Sequence, residues 1–164
     1  MTTKIKIKRE HIAEYAIGKW GSDYNNPITI PDSYDLYHAV WDLLAPRPAN
    51  WHIDCGNLEI KIPTKKTEII DGIKIGKYPE KFNYLSDRSA DIIERKIETV
   101  MVAELHELMD ENKHKFGIEY AETAYQFLMK YQIKSIKEDA LIKNYYRWRR
   151  TIKRKKQQRA YTKA

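Results

Sequence analysis

Between Ser86 and Asn112 the apolar residues Ala90, Ile93, Ile97, Met101, Leu105 and Leu108 recur every three or four positions, with no glycine or proline among them. At 3.6 residues per turn that spacing draws one continuous apolar stripe along a single helical face. At ~1.5 Å of rise per residue the helix spans about 40 Å, the width of a small domain. Any fold for this chain is therefore organised around a long central helix. Val100, Val102 and Ala103 widen the stripe at mid-length, which predicts burial on more than one side, and KHKFG ends it.

Shorter elements surround this helix. The opening KIKIK alternates lysine with isoleucine, as an edge strand does. His11 to Trp20 predicts a short helix with Ile12, Tyr15, Ala16 and Trp20 on one face, and GSDYNNP is a turn-rich break. Asp32 or Ser33 can cap a helix to Leu44 that turns Leu36, Val40, Leu43 and Leu44 inward, and the two prolines of APRPAN stop it. Asn57 to Ile62 and Thr67 to Ile75, the latter around Asp71-Gly72, alternate in character and predict a small β-hairpin or ribbon packed on the helices. After KHKFG a helix is predicted from Ile118 to Tyr131, with Tyr120, Ala124, Phe127, Leu128 and Tyr131 inward. Ser135 and Glu138 form a capping box for the last helix. The expected class is mainly α (α+β): a helical body with a small β-hairpin over 1–115, then a basic C-terminal helix-turn-helix-like pair and tail over 116–164.

Charge separates these two parts. From Lys134 to Ala164 twelve Lys or Arg stand against Glu138 and Asp139, a net +10, whereas residues 1–133 carry a net −3. Leu141, Tyr145, Trp148 and Ile152 form an anchoring stripe on the last helix. Lys143, Arg147, Arg150 and Arg154 repeat the same spacing on another face, flanked by Lys137, Asn144, Tyr146, Arg149 and Lys153. An ordinary exposed helix mixes signs, because opposite charges four apart stabilise it. A one-signed run is stabilised instead by a polyanion, through counterion release. Long donors reach phosphates, while arginine and asparagine can address base edges. Those nine residues, Lys137 to Arg154, are the expected nucleic-acid contacts, with Asn144 and Tyr146 the candidates for touching bases. Tyr145 and Trp148 fall on the anchoring stripe and are assigned to packing.

Other chemistry is set aside. His106, Asp110 and His114 share a helical face, but no third convergent ligand or known spacing accompanies them, so no metal is expected. Glu94, Glu98, Glu104, Glu107, Asp110 and Glu111 read as the solvated face of the long helix, paired with its own lysines and arginines. Cys55 near His52 lacks the geometry of a nucleophile pair and reads as a buried or incidental thiol. No phosphate-cradling glycine loop is present. The expected protein is non-enzymatic, without cofactor. With one cysteine, no export signal and no membrane-length apolar run, it is expected to be cytoplasmic and free of membrane partners.

At GNLEIKIP, RSADIIERKIE and EDALIKNYYRWRR the chain resembles uncharacterised proteins carried by bacterial prophages and other mobile elements. The resemblance implies a DNA transaction in an element's life cycle, such as regulation, replication or packaging, and brings no activity residue by residue. The expected function is duplex DNA binding through the last helix, with a homodimer or protein partner held by the 1–133 body. The alternatives are an RNA or single-strand binder, or an assembly protein whose basic tail docks on an acidic partner or packaged genome.

Overall fold

The computed structural model describes residues 1–50, 55–64 and 68–162. Its elements run β1 (Thr2–Ile5), α1 (Glu10–Trp20), β2 (Gly21–Ser22), β3 (Asn25–Ile28), α2 (Asp35–Leu43), β4 (Ala45–Pro46), β5 (Leu58–Lys61), β6 (Glu68–Ile70), β7 (Ile73–Ile75), β8 (Phe82–Tyr84), α3 (Asp87–Phe116), α4 (Tyr120–Lys130) and α5 (Glu138–Thr162). The class is mainly α with small sheets.

The longest helix is α3. Ser86 caps it by accepting a hydrogen bond from the Ser89 N–H at 3.2 Å, and Gly117 ends it in the left-handed region at φ 66°. It runs one turn beyond Asn112, because Lys113, His114 and Lys115 suit the negative end of the helix dipole. Ala90, Ile93, Ile97, Met101 and Leu105 are buried as expected, and α1, α2 and α4 pack against the helix. Met109 continues the stripe in place of Leu108, which is only half-buried. Each fully buried aliphatic side chain contributes about 1.5–3 kcal/mol. The widening at Val102 and Ala103 is not covered: Val102 is half-buried and Ala103 exposed.

The β content is larger than the sequence suggests. The strand predicted at Asn57 to Ile62 does not join the one that follows. As β5 it pairs antiparallel with β1 and parallel with β3, in a sheet ordered β1-β5-β3-β2. β1 is an edge, buried through Thr3 and Ile5, but it takes only Lys4 and Ile5 of the KIKIK run and begins two residues earlier. GSDYNNP is a tight hairpin, with Asp23 and Tyr24 at φ 51° and 57° supplying the turn between β2 and β3. β6 and β7 form the predicted ribbon, turning at Asp71 (φ 50°) and Gly72 (φ 78°), the pattern of a type I′ turn. Thr67, assigned to this ribbon, lies outside the described residues, as does His52. All six ribbon residues are exposed, so the ribbon does not pack on the helices.

Capping differs at α2, which starts at Asp35 behind Tyr34 with no side-chain cap. Asp32 and Ser33 belong instead to a turn closed by the Tyr34 N–H on the Pro31 carbonyl at 3.2 Å. The acidic row on α3 is also not one solvated face. Glu94 is buried, and it accepts from Arg9 at 2.6 Å and from the Lys8 N–H at 2.8 Å. Glu104 accepts from the hydroxyls of Tyr15 (2.7 Å) and Tyr131 and from Lys19 (2.6 Å). Burial raises both carboxyls, but these donors outweigh it and hold each below the usual carboxylate value. One contiguous apolar core joins all of this, and residues of α4 and α5 share it with the body.

Candidate nucleic-acid interface

The helix that carries the charge is placed by contacts at its N-terminal end. Gly18 of α1 lets the backbone at Tyr131 approach so closely that a Cβ there would lie 2.4 Å from the Tyr131 carbonyl oxygen. Gln132 then reverses the chain at φ 52°. Glu14 of α1 accepts from the N–H groups of Lys134 and Ser135, both at 3.1 Å, and from the Ser135 hydroxyl at 2.6 Å. The capping box expected at Ser135 and Glu138 is therefore not made: the Ser135 side chain is spent on α1, and α5 begins three residues later. Lys137 consequently precedes the helix instead of riding on it.

The first turns of α5 lie against α3 and α4. Leu141 and Tyr145 are buried, and Ile142, Trp148 and Ile152 are half-buried. The Tyr145 hydroxyl donates to Asp110, and burial is the main reason its ionisation is pushed well above the usual phenol value. His106, itself buried, bonds through Nε2 to Asn144 Oδ1 at 2.8 Å and lies 4.5 Å from the Trp148 ring. Burial lowers the His106 pKa. Arg149 donates to the Tyr120 hydroxyl at 3.1 Å and sits over the Tyr145 ring.

From Thr151 to Thr162 every residue but the half-buried Ile152 is exposed, so about 18 Å of helix extends past the body. The nine expected contact residues therefore divide. Lys143, Arg147, Arg150, Lys153 and Arg154 are exposed, and none of them forms an ion pair among the described residues. Tyr146 is 44% exposed, its ring edge-on to Tyr120 at 5.7 Å. Asn144 and Arg149 are held by the body, and Lys137 stands apart at the helix start. The helix continues to Thr162 and so adds Lys155, Lys156 and Arg159, beyond the stretch assigned from sequence. The signal for them was the lack of any glycine or proline after Ile118.

The other candidates fall apart. His114 is exposed while His106 is committed to Asn144, and among the described residues no cluster of His, Cys, Asp or Glu could hold a metal ion. Cys55 is free and exposed, not buried. No helix among the described residues is long and apolar enough to cross a membrane. No known protein family, characterised protein or solved structure matches this chain.

Proposed function

We propose that this chain is a non-enzymatic nucleic-acid-binding protein that engages duplex DNA through the outward face of α5, in the service of a phage or mobile element. The observation that carries the reading is the arrangement of Lys143, Arg147, Arg150 and Arg154. They share one face of α5, diametrically across from the stripe Leu141, Tyr145, Trp148 and Ile152 that holds the helix to the body. A helix anchored on one side and cationic on the other can lie along a groove, its long side chains reaching phosphates on both walls. An ordered helix through Thr162 favours this over a loose tail that docks wherever acid is found. α4 and α5 act as a helix-turn-helix-like pair, although the seven residues 131–137 between them exceed the usual three or four.

A second reading draws on Tyr146, which is exposed beside Arg147 and Arg150. A tyrosine among arginines offers a stacking platform for an unpaired base, as single-strand binders use. Competition decides between them. Labelled duplex DNA bound to the full chain is displaced with unlabelled duplex DNA, single-stranded DNA and duplex RNA, in parallel with Tyr146→Ala. Displacement by duplex DNA alone, indifferent to Tyr146, supports groove binding; single strands winning, with a loss in Tyr146→Ala, moves the function to unpaired bases. Equal, weak displacement by all three overturns both.

A further inference from the structure

Past Ile152 the inward face of α5 changes character. The positions that continue the line of Leu141, Tyr145, Trp148 and Ile152 are Lys155, Lys156 and Arg159, all exposed beyond the edge of the body. A helix lying on DNA presents one face to it, and the face described above leaves these three cations on the opposite side.

A surface of opposite charge lies on the same molecule. Beside the α3–α5 contact an open groove of about 900 Å³ runs along α3 from Glu98 to Lys115. Val102, Ala103 and Trp148 form its apolar part, and Glu107, Asp110 and Glu111 line it with carboxylates. This is where the stripe of α3 widens without being covered. The seventeen steps of α3 from Glu98 to Lys115 give the groove about 25 Å of length, while Ile152 to Thr162 makes a rod of about 15 Å. The rod fits the groove, but α5 has no glycine or proline at which to fold back, so a chain cannot fill its own.

We propose that the groove receives the Ile152–Thr162 segment of a second copy of this chain, and reciprocally, to form a closed two-fold dimer. Ile152 and the aliphatic stems of Lys155 and Lys156 would cover Val102 and Ala103, while the ammonium groups and Arg159 meet the carboxylates. Reciprocity makes the contact twice, and it leaves Lys143, Arg147, Arg150 and Arg154 facing outward on both copies. The dimer stands or falls independently of what those outward residues bind.

Sedimentation velocity on the full chain at low salt tests this, with two charge-reversed variants. Glu107→Lys/Glu111→Lys alters only the groove, and Lys155→Glu/Lys156→Glu only the tail; all four side chains are exposed or partly so, and circular dichroism checks folding. The wild-type chain should dimerise with concentration. Each variant alone should lose roughly tenfold or more in dimer affinity. An equimolar mixture of the two should dimerise again, because each groove then meets a tail of opposite sign. A wild-type chain that stays monomeric at its solubility limit overturns the proposal. So does a dimer that both variants retain, or a mixture that stays monomeric. Duplex binding measured on the same samples, with Arg147→Ala/Arg150→Ala as reference, reports separately on the proposed function.

Discussion

Replacing Arg147 and Arg150 by alanine removes two of the five exposed cations, Lys143, Arg147, Arg150, Lys153 and Arg154, that the fold leaves on and beside the outward face of α5. The consequence is quantitative, because each phosphate neutralised on duplex DNA contributes about 0.9 to the slope of log affinity against log salt. Five contacts give a slope of about −4.5, so affinity should fall roughly 500-fold between 50 and 200 mM salt. The double variant keeps three contacts, a slope of about −2.7 and a fall of roughly 40-fold over the same range. Fluorescence anisotropy with a labelled duplex, titrated at several salt concentrations, measures both slopes directly. Arg149→Ala is the internal control: Arg149 is held by the Tyr120 hydroxyl and the Tyr145 ring, so its loss should leave the slope unchanged and cost about 1 kcal/mol of stability. Equal slopes for the wild type and the double variant would refute the assignment of this face. A slope change in Arg149→Ala as large as that of the double variant would show that the charge acts diffusely and that the geometry of α5 is irrelevant.

Glu104→Ala should destabilise the fold by about 3 kcal/mol, because it strands the hydroxyls of Tyr15 and Tyr131 and the ammonium of Lys19 around an empty acceptor site. Urea unfolding should show a lower midpoint at an unchanged slope, and Glu104→Gln, which keeps an acceptor, should lose less. Stability should also fall in acid in two stages. Burial holds His11 and His106 below their ordinary value of 6.5, so the stability linked to them is present above that pH and is lost as pH falls towards their folded values. Glu94 and Glu104, held below 4.5 by their donors, add a second loss as pH falls below that value. A melting temperature flat from pH 7 to pH 3 would contradict both stages.

The parts of this fold that were legible in the sequence are those set by local periodicity. The stripe of α3, the inward residues of α1 and the Asp71-Gly72 turn all follow from spacing and backbone chemistry over a few residues. What escaped depends on partners distant in the chain. Nothing near Ser135 says that Glu14 will take its hydroxyl, although a capping box was spelled correctly. Nothing near NLEIKI says that it pairs with residues 2–5, more than fifty positions away, and not with the ribbon that follows. Glu94 and Glu104 looked like ordinary solvated acids because their partners Tyr15 and Lys19 come from α1 and Arg9 from the residue just before it. In the candidate interface, the cationic face was legible by counting fours and threes. The capture of Asn144 by His106 and of Arg149 by Tyr120 was not, since both partners lie on other helices.

Those two captures bear on how α5 could recognise anything. A helix held only by an apolar stripe can roll about its axis, and a roll of one residue position, 100°, carries Arg147 and Arg150 from the outward face to the flank. The bonds from Asn144 to His106 and from Arg149 to Tyr120 lie on either side of the Tyr145–Trp148 stripe, so together they resist rotation in both directions. Asn144, one of the two candidates for touching bases, and Arg149 are thus used to fix the orientation of the cations proposed to meet phosphates. Specificity would then come from how the body presents a rigid cationic face, with direct contact to base edges left to few side chains. Charge asymmetry reinforces this, because the net −3 of residues 1–133 against the net +10 from Lys134 onward draws a polyanion towards α5. Under the proposed function, the weakly acidic body and the basic outward face of α5 therefore act together: the body holds the helix in one orientation, and the charge difference between them favours approach of a polyanion along that face.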